Sequence, residues 1–82
     1  MYSLRRLDIA GVIENEISFS AASAAKAKSM ATDSLIQLCR YAKTPGSVVL
    51  EGPRGVLCTA KFSPDALNIY GKFHEGYGWV KP

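Results

Sequence analysis

Residues 20–43, SAASAAKAKSMATDSLIQLCRYAK, decide how this chain is read, because the spacing of its apolar residues changes there from alternation to threes and fours. Alanine has the best intrinsic helix propensity, so the Ala-rich half favours a helix before any packing is considered. Ser20 is the predicted N-cap, its hydroxyl accepting a hydrogen bond from a first-turn amide that would otherwise lack a partner. The apolar stripe runs Ala24, Ala27, Ala31, Leu35, Leu38, Cys39 and Ala42, the spacing of one buried face. Small residues thin its first half and let the backbone approach a sheet or a second copy of the helix, while Leu35, Ile36 and Leu38 anchor the far end. Arg40 and Lys43 suit the negative end of the helix dipole, and Thr44-Pro45-Gly46 ends the helix. Thr32-Asp33-Ser34 has cap chemistry of its own, which leaves a break near residue 32 open.

Upstream, Ile13–Phe19 alternates, with Ile13, Asn15, Ile17 and Phe19 on one side and Glu14, Glu16 and Ser18 on the other, as in a half-buried strand. Residues 3–9 carry Leu7 and Ile9 two apart, and the two segments pair as a hairpin through Ala10 and Gly11. Glu14-Asn15 is a competing turn, and a slip of one residue would exchange the buried and exposed sets. Downstream, residues 47–51 and 56–62 flank Gly52-Pro53-Arg54-Gly55, in which proline is pre-set for the first central turn position. The expected inward set of this hairpin is Val48, Leu50, Val56, Cys58, Ala60 and Phe62, with Val49, Thr59 and Lys61 outside. Ser63-Pro64-Asp65 suits either a helical turn through Ala66 and Leu67 or a plain turn before a last strand over residues 67–73, and the strand is preferred. The tail HEGYGWVKP is too irregular for a helix, and no internal repeat is evident.

Eighty-two residues make one compact domain, and 48% apolar with 21% charged residues is ordinary globular composition, which argues against a mainly disordered chain. The net charge of +3 is spread along the chain and permits an acidic partner without demanding one. No apolar run approaches the roughly 18 residues of a membrane span, and MYSLRRLDIAG has charges where a signal peptide needs an apolar stretch, so no membrane role and a cytoplasmic location are expected. Cys39 and Cys58 are too few for a disulfide scaffold or a Cys-based zinc site and read as buried free thiols.

An enzyme is not expected, since His74 is the only histidine and no Ser or Cys has a base and an orienting acid beside it in the pattern. No metal or cofactor is expected either: His74-Glu75 are adjacent and point apart in an extended chain. The GPRG tetrapeptide matches the G-x-x-G loop that clamps nucleic acid in KH domains, but here it joins two strands and reads as a turn that presents Arg54. KAKSMA resembles the basic helix of double-stranded RNA-binding domains in composition, and Lys26 and Lys28 otherwise read as a solvated helix face. Tyr70, Phe73, Tyr77 and Trp79 gather near the C-terminus among Lys72, His74 and Lys81. Such a cluster either marks a partner site or closes one end of a small core.

The strand pair, the helix carrying SAASAAKAKSMA and the hairpin GSVVLEGPRGVLCTAKF together resemble small phage-encoded anti-CRISPR proteins in element order and alanine content. The resemblance implies a protein partner, a CRISPR effector complex in the host cytoplasm, blocked by steric occlusion. Many such inhibitors are acidic mimics of nucleic acid, which this basic chain is not.

The expected fold is therefore α+β, one long helix packed on a small antiparallel sheet in the order ββαββ with a further strand to follow. The expected function is a non-enzymatic protein-binding inhibitor of a larger bacterial complex, with Arg54, Tyr77, Trp79, Lys26 and Lys28 as the partner-binding candidates and a homodimer left open. The competing class is a small nucleic-acid-binding domain using Lys26, Lys28, Arg54 and the C-terminal aromatics.

Overall fold

The computed structural model describes residues 1–82 and has the α+β order ββαββ: β1 Tyr2–Asp8, β2 Ile13–Phe19, α1 Ala24–Tyr41, β3 Gly46–Gly52 and β4 Gly55–Phe62. The four strands form one antiparallel sheet in the order β2-β1-β3-β4. β1 is thus a central strand, and α1 carries the chain from the β2 edge across to β3.

The first hairpin turns at residues 9–12 rather than at Glu14-Asn15. Asp8 makes the turn: its carboxylate oxygen Oδ1 accepts from the amides of Ala10 and Val12, both at 2.9 Å, which replaces backbone pairing lost at the bend. β1 buries Leu4, not Leu7, against the helix, while Ile9 is exposed in the turn. The register shifts between Arg6 and Leu7, so that Arg6 pairs with Asn15 but Leu7 with Ile13. The extra residue, Glu14, moves Ile13 to the outer face with Leu7, and the expected alternation survives only from Asn15 to Phe19. β2 contains no fully buried residue.

The helix begins three residues later than Ser20. Ser23 is its N-cap, with extended backbone and Oγ accepting from the Lys26 amide at 3.1 Å. Ser20 and Ser23 each precede two alanines, so local chemistry does not separate them. The chain must first leave the β2 edge, and residues 20–23 are spent on that crossing. α1 is unbroken at Thr32, whose hydroxyl donates back to the Lys28 carbonyl at 2.7 Å. Its buried residues are Ala27, Ala31, Leu35 and Cys39, spaced by four; Ala24 is exposed, and Leu38 and Ala42 are half-buried at the side of the stripe. The two alanines let the helix lie close over β3 and β4, where Val48, Leu50, Cys58, Ala60 and Phe62 complete the core.

The second hairpin forms around Pro53-Arg54, with Gly52 opposite Gly55. A bulge between Leu50 and Glu51 places Leu50 opposite Cys58 but Glu51 opposite Val56. Val56 is therefore turned out, contrary to the simple alternation, and Leu57 packs partly buried against the core instead. Gly46 is required by a close approach: a Cβ there would sit 2.6 Å from Phe62 Cζ and collide with the Leu7 carbonyl.

Residues 67–73 do not form a fifth strand. Leu67 and Phe73 face each other across a single antiparallel bridge, and the turn between them repeats the first one. Asn68 Oδ1 accepts from the amides of Tyr70 at 2.8 Å and Lys72 at 3.1 Å, as Asp8 does from Ala10 and Val12. An Asx side chain with glycine three residues on, DIAGV and NIYGK, directs both folds. The tail then runs beside β4, where Thr59 and Val80 exchange backbone hydrogen bonds of 2.9 and 2.7 Å.

This packing predicts that Leu35→Ala costs about 2–5 kcal/mol through a cavity, with Leu38→Ala distinctly milder because its side chain already reaches the surface. Gly46→Ala should cost about 1–3 kcal/mol by overpacking against Phe62. Chemical denaturation measures all three, and equal losses at residues 35 and 38 would contradict the helix placement.

Candidate functional site

The two edges of the sheet are treated differently. At β4 the tail pairs with the edge at one position: beside the Thr59–Val80 pair, Trp79 turns onto the helix side and its indole N–H donates to Thr32 Oγ1 at 2.7 Å. At β2 nothing pairs with the outer backbone groups, and α1 packs on β3 and β4 rather than above β2. Ile17, which alternation directs to the helix side, is consequently 46% exposed.

Between β2 and α1 lies a groove of about 620 Å³. Leu4, Ile17, Leu38 and Val48 form its apolar part, Asn15, Ser34, Gln37 and Thr44 line the rest, Tyr41 and Lys43 lie near the helix C-terminus, and Arg6 enters it from the central strand. No aspartate or glutamate lines it. A smaller depression between Phe19, Met30 and Ala31 continues the apolar strip toward the other end of β2. An exposed strand edge beside an apolar groove is the form in which extended peptides and partner strands are commonly bound.

On the outer face of the same strands one arginine is shared by two carboxylates. Arg5 donates through Nη2 to Glu51 at 2.6 Å and through Nε to Glu16, so one guanidinium joins three strands. Glu51 and then Glu16 raise its pKa still further above its ordinary value. Cys39 and Cys58 are buried free thiols, pushed upward in pKa by loss of water; the Ser63 backbone partly offsets this at Cys39 and the charge of Lys28 at Cys58.

The five residues singled out in the sequence do not form one surface. Arg54 is exposed at the β3–β4 turn, and Lys26 and Lys28 are exposed on the first turns of α1. Strand pairing brings these three to the same end of the molecule, since Ser3 lies opposite Glu51 and Tyr2 opposite Phe19. Tyr77 and Trp79 instead turn inward and pack half-buried against the core, as does Phe73, while Tyr70 is exposed in its turn. His74 and Glu75 are both exposed, and nowhere do three His, Cys, Asp or Glu side chains converge as metal ligands. No helix is long and apolar enough to cross a membrane.

Arg6 and Ile17 carry the groove, and neither stood out in the sequence. A signal was present for the first: adjacent residues of a strand face opposite sides, so Arg5-Arg6 must send one arginine to the helix side of the sheet. The exposure of Ile17 had no such signal, because it depends on where the helix lies.

Trp79→Phe should lower stability by about 1 kcal/mol, the usual worth of one lost hydrogen bond, whereas Arg54→Ala should stay within about 0.5 kcal/mol of the parent. Both thiols should resist an aromatic disulfide reagent in the folded state and react only on unfolding, a rate followed by absorbance. Compared with protein-family models, curated proteins and solved structures, the chain matches no family model, no curated protein and no solved structure.

Proposed function

We propose that this chain is a non-enzymatic protein-binding domain that docks through the open side of its sheet, the β2 edge with the groove beneath α1, and acts by covering a surface of a larger bacterial complex. The observation that carries this reading is the asymmetry of the edges: the tail pins β4 at Thr59, while β2 has no backbone partner on its outer side and keeps an exposed Ile17 beside an apolar strip. Glu14 and Glu16 on β2 are the kind of edge charges that discourage indiscriminate strand pairing while leaving room for a chosen partner. The resemblance to anti-CRISPR proteins makes a CRISPR effector complex the first partner to try, with occlusion rather than mimicry of nucleic acid as the mode. Binding of nucleic acid is the second reading, supported by the gathering of Lys26, Lys28 and Arg54 at one end; the inward turn of Tyr77 and Trp79 takes away its stacking platform.

A photo-reactive amino acid at position 17 should crosslink to a protein from nuclease-treated bacterial lysate, whereas the same group at position 54 should not. With the captured partner purified, Ile17→Arg should raise the dissociation constant more than about tenfold while leaving the melting temperature close to the parent's. Loss of affinity in Lys26→Ala, Lys28→Ala or Arg54→Ala with Ile17→Arg unaffected would move the interface to the basic end. Steep weakening of oligonucleotide binding with salt would then favour the second reading.

A further inference from the structure

Arg5 and Arg6 are neighbours in sequence with opposite surroundings. Arg5 lies on the outer face between two carboxylates. Arg6 lies on the helix side, where its side chain forms no ion pair and its Nε is buried without an acceptor. What holds it there is aromatic. Because position 46 has no side chain, the Phe62 ring lies across it, and the Arg6 guanidinium carbon stands 5.6 Å from the centre of that ring. The guanidinium thus packs on a fixed, fully buried ring, while its N–H donors find no acceptor in the protein. The groove it enters has an apolar part, a second cation at Lys43 and no acidic side chain.

We propose that this groove receives an acidic side chain of the protein partner, flanked by apolar residues, and that the unpaired donors of Arg6 take its carboxylate. A guanidinium held against a ring with its donors unpaired is organised in advance for the two oxygens of a carboxylate, a geometry that lysine does not reproduce. Leu4, Ile17, Leu38 and Val48 account for the flanking apolar residues, and water excluded by them strengthens the pair. A second copy of this chain would present Glu14 and Glu16 on its own β2 edge; Glu16 is already held by Arg5 on the opposite face, and dimerisation lost in Glu14→Gln would make a second copy the occupant and overturn the proposal. The inference rests on the docking face proposed above and adds the chemistry of the residue that anchors there.

The probes are two blocked tripeptides, acetyl-Leu-Glu-Leu-amide and acetyl-Leu-Gln-Leu-amide, titrated into the labelled full chain and followed by NMR at the arginine Nε–Hε signals and the Ile and Leu methyls. The glutamate peptide should move the Arg6 Nε–Hε signal together with the Ile17 and Leu38 methyls, and bind at least about tenfold more tightly than the glutamine peptide. Arg6→Lys should remove most of that preference, and because it keeps the charge and the aliphatic stem it serves even where Arg6→Met fails to fold. Equal shifts from both peptides, no shift from either, or a shift of Arg6 by a short oligonucleotide in place of the peptide would overturn the assignment. In the partner complex the two readings separate: an affinity unchanged by Ile17→Arg ends the docking face, whereas sensitivity to Ile17→Arg but not to Arg6→Lys ends the carboxylate anchor alone.

Discussion

The one helix of this chain does not cover its four-stranded sheet. An α-helix with its side chains is about 10 Å across and strands are spaced about 4.8 Å apart, so α1 shields roughly two strands. It lies over β3 and β4 because Ala27 and Ala31 permit close approach there and Leu35 and Cys39 fill the space above Val48, Leu50 and Phe62. Everything else follows from that offset. β4 is covered on its inner face and pinned at its edge by the tail at Thr59, whereas β2 is left open on both.

The tail works with the helix on the β4 side. Thr59 and Val80 share two backbone hydrogen bonds, and the indole N–H of Trp79 reaches Thr32 in the middle of α1. Residues 63–82 thereby link β4 to the helix without a regular element of their own. The two side-chain-directed turns, at Asp8 and Asn68, serve the same economy: each lets a short segment reverse while its amides keep partners. In a chain this small, few residues can be spared from covering the core, and irregular backbone supplies what a second helix would in a larger domain.

On the open side, charge is arranged by face. The outer surface pairs Arg5 with both Glu16 and Glu51, and the inner surface holds the unpaired Arg6 over Phe62. Gly46 connects the core to this arrangement, since without a Cβ it lets the Phe62 ring lie where Arg6 can pack on it. The same glycine therefore serves both the buried packing and the half-buried cation. A mutation argued only from stability at position 46 would also move the groove.

The order of elements, the single long helix, the secure GPRG hairpin and the inward direction of Val48, Leu50, Cys58, Ala60 and Phe62 were legible in the sequence, because helix propensity, turn chemistry and side-chain alternation are local. Ser23 in place of Ser20 as the cap was not, since both serines have the same neighbours and only the crossing from β2 to β3 selects between them. Nor were the bulges that turn Val56 and Ile13 outward, which arise from strand partners distant in the chain. The C-terminal aromatics read equally as core or as interface until Thr32 and the β4 edge were seen to receive them. The candidate site lay furthest from view: Arg5-Arg6 implied that one arginine faces the helix side, but which one, and whether a carboxylate meets it, depends on pairing across β1, β2 and β3. Local preferences determined the pieces of this protein; where one narrow helix came to rest on a wider sheet determined which of its surfaces stayed open.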